Sequence, residues 1–462
     1  MRQLFLMRHA KAKRGDKDVA DHDRPLRKRG RRQAAAMADA LSRCKALEGE
    51  IHVSGAVRTR QTLEEMARRL PDRSLVERAF VDEALYTFEA EALLAWLRGL
   101  PETTDRVLVI GHNPALLELA RWLCPGAPSE LPTGSLLHLS LPDAPWQALE
   151  RHAAENIVSL TPEQASHALF KRKAPEKPSL HKAGLAKRIC GQLEHQYLMV
   201  RALEPGVMAG IDPEFLHQYR VNLRRSRAIG ESVRAAIKVP GVKKRLKRLK
   251  RRAQATSDLR DLDVFLESLS EAPPPLTARS LHALERWLQT RRDEAHAALC
   301  QQLRDPSYAE EMQDWHGVIS SKGFYKALRQ LSSKRIATVL TGRIDRHDQS
   351  LAALTPESED EAIHDLRKAV KRIRYLAELE PRRHHDFLSG LKYRQRLLGD
   401  FQDLCARQAW IAAFAASSRN APSRQQACDD WRLALEGQKQ VLREEVMTLS
   451  PLSALYRESL KR

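Results

Sequence analysis

The chain has 462 residues, 42% of them hydrophobic, and a net charge of +19. That length allows two or three domains with cores of their own, and the apolar share excludes a disordered chain. No stretch approaches the roughly 18 apolar residues of a membrane span. The leading MRQLFLMRHAKAKR is too short in apolar run and too charged for a secretory leader, so a cytoplasmic protein is expected. Six scattered cysteines (Cys44, Cys124, Cys190, Cys300, Cys405, Cys428) form no C-x-x-C pair. They fit a reducing compartment and argue against a zinc site. The charge is uneven: residues 1–160 hold 24 basic and 22 acidic side chains, the remainder 54 and 37. The second part therefore asks for an anionic partner.

Taken in chain order, residues 3–7 read as a buried strand, 31–47 as a helix, 51–54 as a short strand and 57–70 as a helix. Residues 106–110 form a further buried strand before a helix over 114–123, and 135–141 and 146–150 are candidate closing strands. Apolar strands separated by helices predict an α/β domain over 1–160, with a mostly parallel sheet covered by helices on both faces. Residues 161–180 carry Pro162, Pro175, Pro178 and several lysines, the composition of a linker. Residues 181–460 are helical in pattern almost throughout, with breaks at 272–276 and 355–358.

Two segments of the helical part are the same chemical object. His217-Gln-Tyr-Arg220-Val-Asn-Leu-Arg224-Arg225-Ser-Arg227 and His364-Asp-Leu-Arg367-Lys368-Ala-Val-Lys371-Arg372-Ile-Arg374 both follow H-x-x-R-x-x-x-[RK]-R-x-R, 147 positions apart. On a helix, offsets 0, 3, 7 and 10 fall within an arc of roughly 80°. A histidine and three cations thus share one stripe, where like charges repel; placing them so twice suits a bound polyanion. A D-x-x-D-L motif follows each stripe, at Asp258–Asp261 and Asp400–Asp403. Each half therefore reads as a stripe helix, an intervening helix and a D-x-x-D-L helix, over about 181–300 and 310–460. The aspartates read as partners for nearby arginines. Residues 242–252 hold eight basic residues in eleven, with Val242, Leu246 and Leu249 as one apolar seam, which predicts a helix with a cationic outer face including Lys244, Lys247 and Arg251. Lys392, Tyr393, Arg394 and Arg396 precede the second D-x-x-D-L motif and are expected to close another wall. Aromatic residues are 5% of the chain and do not interleave with the stripes, so specific nucleic-acid recognition is not expected.

In the first part, Leu6-Met7-Arg8-His9-Ala10 ends a strand, Ser54-Gly-Ala-Val-Arg58-Thr-Arg-Gln61-Thr62 follows another, and Val109-Ile-Gly-His112-Asn-Pro114 a third. Ligands bind at such carboxyl ends of strands. These ordered motifs resemble the histidine phosphatase superfamily and its small SixA-like branch, over about residues 1–155. The resemblance implies His9 as a nucleophile forming a phosphohistidine, with Arg8, Arg58 and His112 around the phosphoryl group and Arg24 holding substrate from the first loop. It implies neither metal nor cofactor. The usual R-H-G is R-H-A here, tolerable if Ala10 keeps a negative φ. For the general acid, Asp82-Glu83 is the nearest carboxylate pair, with Glu83 the candidate; the SixA-like branch often lacks this acid.

The helical part resembles the CHAD domain, a pair of pseudo-symmetric helical bundles that binds inorganic polyphosphate. The resemblance rests on the two stripes, on Leu259-Arg-Asp-Leu-Asp-Val264 and on Leu397-Leu-Gly-Asp-Phe-Gln-Asp-Leu404. It implies polyphosphate contacts from His217, Arg220, Arg224, Arg225, Arg227, His364, Arg367, Lys368, Lys371, Arg372 and Arg374. The expectation extends to Lys244, Lys247, Arg251, Lys392 and Arg396. The joint reading is a phosphatase placed on polyphosphate, at granules, acting on a phosphorylated protein or a phosphoester. Polyphosphate as the substrate itself, and a polyphosphate-binding scaffold with an inactive phosphatase domain, stay open.

Overall fold

The computed structural model describes residues 1–15, 18–180, 183–271, 274–417 and 422–461. They divide into two compact units, Met1–Ala174 with Pro205–Phe215, and Pro175–Glu204 with Leu216–Arg462.

The first unit runs β1 (Arg2–Arg8), α1 (Lys28–Arg43), β2 (Glu50–Ser54), α2 (Val57–Arg69), α3 (Leu75–Arg78), β3 (Ala79–Asp82), α4 (Ala90–Arg98), β4 (Arg106–Gly111), α5 (Ala115–Leu123), β5 (Leu136–Leu141) and β6 (Glu155–Leu160). The six strands form one sheet in the order β3-β2-β4-β1-β5-β6. The first four are parallel, and β5 and β6 close the sheet antiparallel. Leu4, Phe5, Leu6 and Met7 of β1 are wholly buried, as an inner strand covered on both faces requires. Side chains alternate: Leu4, Leu6, Val107 and Val109 pack with Leu93 and Leu97 of α4 and Leu116 and Leu119 of α5. Phe5, Met7, Leu108 and Ile110 pack with Met37 and Leu41 of α1 and Leu63 and Met66 of α2.

The closing strands differ from expectation at one point. Residues 146–148 are a single 3-10 turn, and the last strand lies further on, at β6. Pro142 and Pro145 withhold two backbone donors here. Trp146, 1% exposed, turns inward and donates from Nε1 to the Thr104 carbonyl at 2.8 Å. Two short helices follow, α6 (Pro162–Ala165) and α7 (His167–Phe170). Thr161 opens α6 with a capping box, its Oγ1 accepting from Gln164 N at 3.3 Å while Gln164 Oε1 accepts from Thr161 N at 2.8 Å. Ala165 is buried in the α1 and α2 core, so the start of the expected linker packs on this unit.

The remaining helices are α8 (Leu185–Ala209), α9 (Pro213–Ala236), α10 (Val242–Gln254), α11 (Ser257–Glu271), α12 (Ala278–Arg304), α13 (Pro306–Ile319), α14 (Lys322–Leu328), α15 (Ser333–Ala352), α16 (Asp360–Ala377), α17 (His385–Ser417), α18 (Pro422–Met447) and α19 (Leu452–Lys461). The break expected at 355–358 separates α15 from α16. Of the break expected at 272–276, residues 272 and 273 lie outside the described residues.

The two halves of the helical unit are not equal. In the first, stripe helix α9 is followed by α10 and then by α11 with its D-x-x-D-L motif, as expected. In the second, no separate intervening helix stands between α16 and the motif; one 33-residue helix, α17, spans both. The difference lies at Ala255–Thr256, a turn between α10 and α11, where buried Thr256 bonds the Ala253 carbonyl at 2.7 Å and interrupts the helical path. On α10 the predicted seam is buried: Val242, Leu246 and Leu249 lie inside, with Leu246 against Gly230 of α9. Trp315 of α13 packs there too and donates from Nε1 to Ser226 Oγ at 3.0 Å.

Candidate functional site

At the carboxyl ends of β1, β2 and β4 the first unit gathers four of the predicted residues. β1 supplies Arg8 and His9, β2 leads through Ser54 into α2 with Arg58, and β4 ends just before His112. The backbone N–H of His9 donates to the Gly111 carbonyl at 3.0 Å, tying the two strand ends together. Ala10 is fully buried, its N–H bonds Thr62 Oγ1 at 3.1 Å, and it is not among the residues of positive φ, so the missing glycine causes no strain.

His9 Nδ1 lies 2.8 Å from the Ala10 carbonyl oxygen. A carbonyl only accepts, so Nδ1 carries the proton and the lone pair is left on Nε2. Burial lowers the His9 pKa to about 4; Arg58, Arg8 and Arg24 add to the effect, while the Ala10 bond opposes it. His9 is therefore neutral at pH 7. The His112 ring stands 5.2 Å from that of His9, centroid to centroid. It is 1% exposed, with Nε2 at 2.8 Å from Ser54 Oγ and Nδ1 buried without a partner. Burial, then the neighbouring His9 and Arg58, lowers its pKa to about 2. Arg8 donates from Nη1 to the Leu131 carbonyl at 2.9 Å, and its Nε is buried without a partner. Orphaned buried polar atoms cost about 1–3 kcal/mol each, and two of them border this one site.

Arg58, 3% exposed, donates from Nη2 to Asp21 Oδ2 at 2.9 Å and from Nη1 to the Asp21 carbonyl. Tyr86 OH bonds the same Oδ2 at 2.9 Å, and Arg24 ion-pairs with Oδ1. Burial alone would raise the Asp21 pKa; the bonds from Arg24 and Tyr86 and the Arg58 charge outweigh it and bring it to about 2. Arg24 thus joins the cluster through Asp21. Glu83 stands at the rim, 71% exposed and 3.3 Å from His22 Nε2. Its carboxylate lies over Gly55, where any Cβ would come within 1.8 Å of Oε1. Asp82 is occupied, accepting from Ala84 N at 2.9 Å and Trp96 Nε1 at 2.7 Å.

The stripe residues of the second unit separate into several environments. Arg220, Arg224, Arg367 and Lys371 form one cluster with Asp261 and Asp403, to judge by their mutual fields. Arg220 is buried and donates to Thr256 Oγ1 at 2.7 Å. Burial, then Arg224, lowers its pKa to about 10, opposed by Asp261. Burial, then Arg367, Arg224 and Arg374, lowers that of Lys371 to about 7. The enclosing protein raises the carboxyls of Asp261 and Asp403, against the pull of Arg220 and Arg367 respectively.

Arg372 lies instead on a cavity of about 480 Å³ between α9, α15 and α16, with Arg234, Arg343 and Arg346. Lys244 and Lys247, with Lys243, Lys250 and Arg234, line a second hollow along α10. Glu231 and Arg234 border both. Other predicted cations are already engaged. Arg251 pairs with Glu311, Lys368 with Asp365 and with Glu361 at 3.1 Å, Arg227 with Glu231 at 3.5 Å, and Arg374 with Glu378 at 3.3 Å. His364 bonds Gln402, and His217 is half-buried on α9. Arg225 turns to a different cavity of the unit. On α17, Lys392 and Arg396 are exposed, and Arg396 sits over the Tyr393 ring at 5.8 Å. Arg394, grouped with them from sequence, points inward; it is 5% exposed, and contacts His347 Nε2 at 3.4 Å and the Ser450 carbonyl.

Residues 4–92 match the family model of the histidine phosphatase superfamily (branch 1), and residues 191–412 that of the CHAD domain. The chain joins a histidine phosphatase superfamily domain to a CHAD domain. It is similar to an uncharacterized chloroplastic protein of Arabidopsis thaliana, 46% identical over 65 residues; the match spans 14% of this chain and 30% of that protein. Among solved structures, the protein histidine phosphatase SixA complexed with tungstate is 29% identical over 35% of this chain and 97% of its own, with a TM-score of 0.30. The CHAD domain from the plant Ricinus communis is 21% identical over 60% of this chain and 96% of its own, with a TM-score of 0.49.

Sequence reasoning missed five residues at these sites. In the histidine phosphatase domain they are Asp21 and Tyr86, which hold the arginines. Asp21 lies three residues before Arg24 in the first loop, a spacing that was the available signal. In the CHAD domain they are Arg234, Arg343 and Arg346. Arg234 continues the first stripe seven residues beyond Arg227, whereas Arg343 and Arg346 sit on α15, outside either repeat of the motif.

Proposed function

We propose that this protein is a phosphatase working through a phosphohistidine at His9, carried on a CHAD domain that holds inorganic polyphosphate. The observation that carries the reading is a neutral His9 with its lone pair on Nε2, set among Arg8, Arg58 and Arg24. Nε2 attacks phosphorus, the bond to the leaving group breaks, and the leaving group keeps its electron pair. Arg8 and Arg58 offset the charge of the transferring phosphoryl oxygens. With Ser54 donating to Nε2 of His112, the His112 proton sits on Nδ1, free to bond a phosphoryl oxygen. Water then cleaves the N–P bond, releasing phosphate and restoring His9. Glu83 at the rim is the candidate proton donor where the leaving group needs one; imidazole or a phosphate chain leaves readily without it. No step uses a metal.

For the CHAD domain, the cluster around Arg224 and Lys371, the arginine-lined cavity and the lysine row of α10 offer a track for a polyanion. Its second and third stretches share Glu231 and Arg234. Arginine forks and lysine point charges along it release counterions from a bound chain. The substrate favoured is a phosphohistidine protein or a phosphoester met at polyphosphate granules in the cytoplasm.

The experiment measures phosphate release from long-chain polyphosphate and from a phosphohistidine-bearing protein, for wild type and His9→Ala. Release from the phosphoprotein alone, lost in His9→Ala while polyphosphate stays bound and uncut, is the expected result. His9-dependent release from polyphosphate would make the polymer the substrate. No turnover of either would leave a polyphosphate-binding scaffold.

A further inference from the structure

The CHAD unit contains a cavity of about 650 Å³ that lies apart from the polyanion track. Its walls are α8, α9, residues 177–180 and the turn after α16. Leu180 and Ile229 form apolar wall; Leu180 packs on Gly191 of α8, where a Cβ would come within 2.9 Å of its Cδ1. Arg188, Arg225 and Arg382 bring positive charge to the same space.

Three polar atoms on one helix are left without partners here. Gln196 is 4% exposed, yet its Oε1 has no hydrogen bond, and the same holds for buried Arg188 Nε and His195 Nδ1. All three residues line the cavity from α8. A buried polar group left without a partner is unfavourable, so three on one wall describe a surface awaiting a ligand with complementary groups.

We propose that this cavity binds a nucleoside phosphate. Its phosphates meet Arg188, Arg225 and Arg382, and its base lies against Leu180 and Ile229. The polar edge of the base bonds Gln196 and His195. Polyphosphate does not fit this description. It is acceptor-only at neutral pH, so it cannot satisfy an amide oxygen, and it has no apolar surface to cover Leu180 and Ile229. A ligand of nucleotide size suits the volume, since pockets for small organic ligands span about 300–1,000 Å³.

The test is equilibrium binding of ATP, GTP and tripolyphosphate to the full chain, with and without excess long-chain polyphosphate. The expected result is saturable binding of one nucleotide per chain that survives the polyphosphate. Arg225→Ala, an exposed position, should weaken nucleotide binding about tenfold, and Gln196→Leu by at least as much. Circular dichroism of both variants separates loss of the site from loss of the fold, and Arg225→Ala suffices if Gln196→Leu does not fold. Absence of saturable nucleotide binding overturns the proposal. So does displacement of the nucleotide by polyphosphate, or indifference of nucleotide affinity to Arg225→Ala.

Discussion

A carboxylate facing an incoming phosphoryl group is an awkward neighbour, and Asp21 is in that position. It grips Arg58 and Arg24, the cations a phosphate needs, and with a pKa of about 2 it stays charged. A bound phosphate must share or displace it. Asp21→Asn keeps the shape and removes the charge, so inorganic phosphate should inhibit the variant several-fold more strongly. A weaker inhibition would instead make Asp21 the scaffold that aims the two arginines. His9 gives a second expectation at this scale. As the proposed nucleophile it would act in its neutral form, lost only as pH falls through about 4, well below the ordinary histidine value near 6.5. The rate of phosphoenzyme formation in single turnovers should therefore stay flat from about pH 7 to about pH 5. A fall centred near pH 6.5 would show that the free enzyme holds His9 in an ordinary state.

Among the elements, α10 shows both the reach and the limit of sequence patterning. Its apolar seam was legible because Val242, Leu246 and Leu249 repeat at helical spacing. The fate of its cations was not. Arg245 and Arg248 pair with Asp314 at 2.6 and 2.7 Å, and Arg252 pairs with Glu311 at 2.8 Å. Those acids come from α13, some 60 positions away, a relation no local pattern carries. What remains outward are Lys243, Lys244, Lys247 and Lys250. Replacing the first three by alanine should lower the slope of log affinity for polyphosphate against log salt by about one per lysine, leaving the fold intact. The candidate strand ends were legible for the opposite reason: Arg8 closes β1, His112 directly follows β4, and Arg58 lies in the first turn of α2 just after β2. The 3-10 turn at Trp146 was not, because prolines outweigh local pattern there, and neither was the uninterrupted α17, which has no counterpart of the turn at Ala255–Thr256. Lys371 of α16 adds a pH effect. Unbound, it has a pKa of about 7, and a bound polyanion raises that value. Binding thus takes up a proton, and affinity should fall as pH climbs from about 7 to about 9. Lys371→Met should flatten that dependence in binding titrations.

For the molecule as a whole, neutral buried histidines set the acid limit. His9 and His138 have pKa values lowered to about 4, mainly by burial, and His112 to about 2. A depressed value means that the unfolded chain binds the proton more readily. The stabilisation is therefore complete above the unfolded value near 6.5 and is lost as pH falls toward about 4. By pH 5 each such histidine costs about 2 kcal/mol, so the first unit should melt well below its neutral-pH temperature. Calorimetry across about pH 5 to 8 checks this; a flat transition temperature would mean that these rings are accessible to protons in the native state.

The inequality of the two helical halves has one more consequence. A polyphosphate chain reads the same from either end, and two identical bundles would offer it no preferred direction. This protein has the lysine row of α10 on one half only, while the other half continues straight through α17. A polyphosphate chain held as proposed would therefore meet the α10 lysines on one half and no matching helix on the other. The two ends of a symmetric polymer would then be told apart by the protein, not by the polymer.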